Sequence, residues 1–280
     1  MILQKRINKE VATMDMDFKR RNILVLGGSD GIGFAVARQL VKNGASVCIV
    51  GRNEEKLKTA YEEINKLSGD STKNICISSD LTQVESAINI KQVLINKWGG
   101  QVDSLVLNAG GPPMIKNSLD VPLSDWHTYF QSLFLSQITL VGAFIDFMKM
   151  IKFGRIVSIS SSSIIEPIQG IVISSAIRSA LAAWLKTIGT EVAHYGINVS
   201  NAVIGKIDTQ RIQSLDKKRA EDNVMSVADI IKDSQKNIPA GRYGTPEEAA
   251  NVIVFLLSKY ASYINGSSVF IDGGSIRKCF

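Results

Sequence analysis

The chain has 280 residues, 45% of them hydrophobic and 21% charged, a globular balance that excludes a disordered or fibrous protein. A chain of that length buries about three-quarters of the surface it exposes when unfolded, so it can hold one large core without disulfide staples. The 32 basic and 26 acidic residues give +6, but the excess lies at the two ends and around Lys217-Lys218-Arg219 among acidic residues, not on a basic stripe that would predict a nucleic-acid partner.

Three cysteines, Cys48, Cys76 and Cys279, share no C-x-x-C spacing and cannot all pair, and the first 21 residues are charged throughout. Both features predict a cytoplasmic protein rather than a secreted one. No composition break, linker or repeat divides the sequence, so one domain is expected over 21–280 after a polar extension at 1–20. In chain order, short β-branched runs predict strands at 22–26, 46–50, 74–78, 104–108, 155–160, 198–203 and 267–271. Amphipathic stretches at 33–43, 54–67, 85–97, 124–150 and 174–194 predict helices. Apolar strands alternating with helices imply an α/β fold whose parallel sheet is covered on both faces. The longest apolar run, 133–150, is broken by Ser136, Gln137, Thr139 and Asp146. It is expected to be too short and too polar to cross a membrane, hence a buried helix. Residues 206–240 are polar and helix-prone with no strand signal until the last strand, which predicts a flap over a substrate.

The first predicted strand runs into Gly27-Gly28-Ser29-Asp30-Gly31-Ile32-Gly33 and then a helix. Glycines at 27, 31 and 33 permit a tight turn, a close backbone approach to a pyrophosphate and close packing of helix on strand. The unpaired N–H groups at the helix start then face the phosphates. The second strand ends at Arg52, where an acidic residue would repel an adenosine 2′-phosphate and an arginine can pair with it. That favours NADP(H) over NAD(H).

Further motifs follow in order: Asp80-Leu81, Asn108-Ala109-Gly110, Gly154-Arg155-Ile156-Val157, Gly196-Ile197-Asn198-Val199, Gly241 to Glu248, Asn265-Gly266 and Asp272-Gly273-Gly274. With the glycine turn, this set resembles the short-chain dehydrogenase/reductase family, in its β-ketoacyl-carrier-protein-reductase-like branch. The resemblance covers about Arg21 to Gly274. It implies a Rossmann-type, doubly wound sheet of about seven strands in the order 3-2-1-4-5-6-7, assembled as a homotetramer or homodimer. It implies that Ser29 and Ile32 belong to the phosphate turn and that Asp80 and Leu81 lie against the adenine. Asn108, Ala109 and Gly110 would flank the cofactor riboses, and Thr209 would approach the nicotinamide amide. Leu26 stands where the family usually has a threonine.

The family reduces a carbonyl with a Ser, a Tyr-x-x-x-Lys and an Asn. Counted from Gly154-Arg155-Ile156, the serine position is Ser161, but the tyrosine position is Ser174 and the lysine position Arg178. The asparagine position, seven residues after Trp126, is Leu133. A serine hydroxyl is a far weaker acid than a tyrosine, and a guanidinium cannot lend a proton as easily as an ammonium. Glu166, in the loop 163–173, is the best alternative acid, although a solvated loop carboxylate is the stronger expectation there. His127 is expected at the surface or capping, Tyr129 packing against neighbouring helices, and His194 at a helix C-terminus beside its dipole. No metal-ligating cluster and no Ser-His-Asp arrangement is visible. Two readings remain: an NADP(H)-dependent oxidoreductase acting on a small carbonyl or alcohol substrate through an altered proton relay at Ser161, Ser174 and Arg178, or a catalytically quiet NADP(H)-binding sensor or scaffold.

Overall fold

The computed structural model describes residues 16–68 and 74–278. Residues 1–15 of the expected extension and Cys279 lie outside the described residues. Phe18 is already packed into the core, and its N–H donates to Asn43 O at 2.9 Å.

Seven strands form one sheet in the order β3-β2-β1-β4-β5-β6-β7, every pairing parallel, as expected. They are β1 (Asn22–Leu26), β2 (Ser46–Gly51), β3 (Ile75–Ser78), β4 (Ser104–Leu107), β5 (Gly154–Ser161), β6 (Ile197–Ile204) and β7 (Ser267–Ile271). Period-two alternation divides their side chains between two cores. Ile23, Val25, Val47 and Ile49 face one layer, formed by α1 (Gly31–Lys42), α2 (Glu54–Leu67) and α9 (Pro246–Leu257). Leu24, Leu26, Cys48 and Val50 face the other, formed by α3 (Ser86–Trp98), α5 (Ser136–Ile151) and α6 (Val172–Val192). Because both faces are covered, the central strands read as continuous apolar runs.

The apolar run differs from expectation. α4 (Leu123–Phe130), a π-helical turn (Gln131–Leu135) and α5 form a 29-residue rod, long and apolar enough to cross a membrane by length and composition. The sequence expectation of "too short" is therefore corrected. Packing, rather than length, places the rod in the domain: Leu133, Leu140, Phe144 and Met148 are at most 1% exposed in the second core. The π turn is braced by Gln137, itself buried, whose amide donates to Leu133 O at 3.1 Å.

The 206–240 segment consists of two helices, α7 (Gln210–Asn223) and α8 (Val227–Lys236), packed on each other. Thr209 and Ser226 cap their N-termini by accepting from Ile212 N and Asp229 N. A buried carboxylate anchors the pair: Asp216, 1% exposed, accepts a 2.8 Å hydrogen bond from the Tyr243 hydroxyl. Lys206 donates to Ser234 of α8 beside it.

At the opposite edge of the sheet, buried Asp103 accepts from Asn22 N and from the Ser104 hydroxyl, both at 2.9 Å. Arg155 beneath it donates to Ser258 O, Gly154 O and Gly196 O. Burial outweighs these donors and the neighbouring Arg21 and Arg155 charges, and pushes the Asp103 pKa from 3.8 up to about 6. A carboxyl whose pKa is raised on folding binds more protons folded than unfolded between those values. Its contribution is thus fully present below pH 3.8 and lost as pH rises through about 6. Unfolding by urea across this window should lose about 2–3 kcal/mol of stability on this account as pH rises. Asp103→Asn, which keeps an acceptor for Asn22 N, should flatten that part of the profile; an unchanged slope would exclude Asp103 as its source.

Candidate active site

The carboxyl ends of six strands open into one cleft of about 530 Å3, lined from Gly27 to Arg219. Its centre is the gap between β1 and β4, where the chain order of the sheet reverses, the usual ligand position in such sheets. The sequence-expected residues come together there. Of the residues expected to hold the cofactor, Gly33 does not line the cleft and sits behind the turn.

The glycine turn fits a pyrophosphate for reasons visible in its geometry. Gly27 and Gly31 have φ of 60° and 54°, which disfavours any side chain. A Cβ on Gly33 would stand 2.2 Å from Gly27 O, and one on Gly27 would meet Asn108 Nδ2 at 2.5 Å. Only glycines bring strand, turn and helix this close. At the start of α1, Asp30 accepts from Gly31 N at 2.7 Å and Phe34 N reaches Asp30 O. The N–H groups of Ile32 and Gly33 thus remain without helical acceptors. Asp30 is itself paired with Lys56 at 3.1 Å, and Lys56 also donates to Gln210, which ties the start of α7 across the turn.

Around the turn, Arg52 is exposed at the end of β2, with Nη2 3.5 Å from where Gly110 would carry a Cβ. It therefore reaches across the mouth. Asp80 is held by accepting from Thr82 N at 3.0 Å, and Leu81 O accepts from buried Ser136 at 2.9 Å. The Thr209 methyl lies against Gly31.

On the other side stand the residues that the sequence leads one to expect at the chemistry. The Ser161 hydroxyl accepts from Ser163 N at 3.1 Å, which leaves its own proton free. Arg178 donates from Nε to Ser174 Oγ at 3.2 Å, from Nη1 to Ile159 O at 2.9 Å and from Nη2 to Ala109 O at 3.1 Å. It thus joins the ends of β4 and β5 to the first turn of α6. Burial, with a smaller effect from the Arg211 charge, lowers its pKa from 12.5 to about 10, so it stays a cation at neutral pH. Leu133 is fully buried in the apolar layer, while its neighbour Ser132 lines the cleft.

Glu166 does not line the cleft; Ile168 and Ile171 of the same loop do. His127 is exposed on α4, and His194 stacks on Tyr195 at 3.9 Å beyond the end of α6. Tyr129 packs against the second core, as expected, and also lines the cleft. Lys206, Arg211 and Arg219 line it too, although sequence reasoning passed over them. Their signal was the spacing 211, 215, 219, one face of a helix, preceded by Lys206. Among the described residues, no group of three His, Cys, Asp or Glu side chains is placed to hold a metal ion.

The close approach at Gly33 yields a matched pair of variants. Gly33→Ala must displace Gly27 O, so it should destabilise the protein by about 1–3 kcal/mol and abolish dinucleotide binding in a fluorescence titration. Gly142→Ala, on an exposed helical site with nothing within 4 Å, should instead stabilise by about 0.5–1 kcal/mol in thermal melts. Equal effects of the two would show that the turn has room to spare.

Residues 27–275 match a family model described as enoyl-(acyl carrier protein) reductase. The uncharacterized oxidoreductase YvrD of Bacillus subtilis is 32% identical over 269 residues, covering 94% of this chain and 99% of the relative. The 3-oxoacyl-[acyl-carrier-protein] reductase FabG of Aquifex aeolicus is 32% identical over 268 residues, covering 93% and 99%. Among solved structures, L-sorbose reductase from Gluconobacter frateurii, complexed with NADPH and L-sorbose, superposes with a TM-score of 0.87 at 27% identity, covering 95% of this chain and all of that one. YwfH, an NADPH-dependent reductase involved in bacilysin biosynthesis, gives 0.84 at 26% identity, covering 92% and 99%. With the parallel sheet, the glycine turn and these relatives together, the chain belongs to the short-chain dehydrogenase/reductase family.

Proposed function

We propose that the protein is an NADP(H)-dependent oxidoreductase interconverting a small carbonyl compound and its alcohol, with serines and water handling the proton. The observation that carries this reading is the placement of Ser161, Ser174 and Arg178 in the same cleft as an intact dinucleotide turn. The relatives named as reductases, two of them with NADPH in their descriptions, support the redox class and the cofactor. When bound, the cofactor supplies or takes up the hydride.

The residues of this chain do the rest. The Ile32 and Gly33 N–H groups and the glycine turn hold the pyrophosphate, and Arg52 pairs with the 2′-phosphate. Asp80, Leu81, Asn108, Ala109 and Gly110 flank the adenosine and riboses, and Thr209 stands at the nicotinamide end. Because Ser174 Oγ accepts from Arg178 Nε, its own proton is directed elsewhere. Ser161 and Ser174 then donate to the substrate oxygen, and a water beside them exchanges the proton with solvent. Without a phenol near pKa 10, this relay is slower than the family's usual one. The 206–240 helices serve as the substrate flap, and the outer faces of α4–α5 and α6 serve as subunit contacts in a cytoplasmic homo-oligomer.

One observation favours the quiet-binder reading. Three of the five N–H groups of Arg178 are spent on Ile159 O, Ala109 O and Ser174 Oγ, so the residue also serves as a structural tie.

Two measurements test the proposal. Arg52→Asp should weaken NADPH binding about 10- to 100-fold, the loss of a charge-assisted fork, while changing NADH binding little; equal NADPH affinity in a titration would remove the 2′-phosphate assignment. Single-turnover hydride transfer should proceed in the parent and be lost in Arg178→Ala that remains folded. If only the double variant Ser174→Tyr/Arg178→Lys reduces carbonyls, the parent is the quiet binder.

A further inference from the structure

The acidic residues lining the cleft, Asp30 and Asp80, belong to the loops after β1 and β3, at its dinucleotide side. The side flanked by α6 and α7 carries Arg178, Lys206, Arg211 and Arg219 and no carboxylate. Lys206 lies near Asp216 and Asp233, which oppose but do not outweigh burial and the Arg219 charge, and it donates to Ser234. Arg178 and Arg211 are different. Among the described residues, neither forms an ion pair. Arg178 spends three N–H groups on protein acceptors, and Arg211 spends one, on Pro112 O. A guanidinium has five, so most of the donors on this pair are uncommitted. Burial lowers the pKa of both, and the Arg211 charge lowers that of Arg178 further. Arg178 is half-buried and Arg211 is exposed on the cleft wall, so two like charges stand side by side and face the cleft. An anion bound between them offsets their repulsion.

The surroundings make room for Arg211. Gly111 has no side chain, and a Cβ there would lie 2.9 Å from Arg211 Nη2 and 3.1 Å from Nε. The guanidinium is therefore laid flat on the backbone after β4, beside the loop that leads from Asn108. Met114, Ile168, Ile171 and Leu215 add apolar surface to the same cleft. The cofactor's phosphate groups are already assigned to the glycine turn and Arg52, although Arg52 reaches to Gly110, beside the Gly111 that Arg211 covers.

Building on the oxidoreductase reading above, we propose that the substrate is a keto acid, or the matching hydroxy acid. Its carboxylate is held by Arg211 together with Arg178, and its aliphatic chain lies against Met114, Ile171 and Leu215. The planar, two-oxygen carboxylate matches the guanidinium fork, which a neutral sugar does not. The same pair places the acid end of the substrate next to Ser174, through the Arg178–Ser174 hydrogen bond, so the carboxylate also orients the carbonyl toward the serines.

The test pairs catalysis with binding. Straight-chain 2-, 3- and 4-keto acids, their methyl esters and dihydroxyacetone phosphate are offered with NADPH to the full chain. The same acids are titrated by calorimetry into the NADP+-loaded protein. One of the acids should be preferred over its ester by about tenfold or more in kcat/KM. Arg211→Met should collapse that preference and weaken calorimetric binding of the same acid about tenfold or more, and Arg211→Lys should restore part of both. Gly111→Ala, which displaces the guanidinium without removing it, should act in the same direction more weakly. A preference for esters, or for dihydroxyacetone phosphate, overturns the carboxylate assignment. So does an Arg211→Met variant whose loss falls on NADPH affinity instead of acid preference, or failure of every acid to bind the NADP+-loaded parent. Acid binding that depends on Arg211 without any hydride transfer would uphold this site and remove the oxidoreductase reading. Loss of NADPH binding by the parent would remove that reading alone.

Discussion

All seven strands run in the same direction, so every loop that carries chemistry leaves the sheet at one edge. Parallel pairing forces each connection to cross back over a face, and the helices that make these crossings cover the sheet on both sides. The reversal between β1 and β4 then separates two crossing helices and opens a gap over the strand ends. The cleft is a consequence of this topology before any side chain is considered. What the side chains decide is which molecule the gap holds.

At the dinucleotide side that choice is made by absence. Gly27, Gly31 and Gly33 leave out the atoms that would keep strand, turn and helix apart, and the approach of Gly33 to Gly27 O leaves room only for hydrogen. At the other side the choice is made by charge. Arg178 is a planar fork that reaches three acceptors at once, tying two strand ends to a helix. It rigidifies this side of the cleft and presents fixed positive charge to it.

The wall that carries Arg211 and Arg219 is held by polar contacts as much as by apolar ones. α7 is rich in charged residues, yet Asp216 on its inner side is buried, accepts from the Tyr243 hydroxyl and lies near Lys206. Its Oδ2 has this partner while its buried Oδ1 has none among the described residues, so the Tyr243 contact and the nearby Lys206 charge are what hold the helix in its docking arrangement. That arrangement sets the row 211, 215, 219 toward the cleft.

The sequence by itself determined the strands, their order by resemblance and the glycine turn, because periodicity and backbone demands are local. Helix ends moved by a residue or two, and the apolar run proved to be part of a longer rod with a π turn, since a turn braced by a buried glutamine leaves no periodic signature. For a related reason the loop 163–173 could not be resolved from the sequence: its polarity says nothing about which of its side chains turns inward, and Ile168 and Ile171 do so. Only the tertiary structure decided that Tyr129 and Arg211 share the cleft with Ser161 and Ser174, although they come from separate elements. It alone decided that Arg178 and Arg211 stand together without a carboxylate. Charge pairing is a matter of distances across the fold, and residues 33 apart in sequence carry no local trace of whether an acid lies between them.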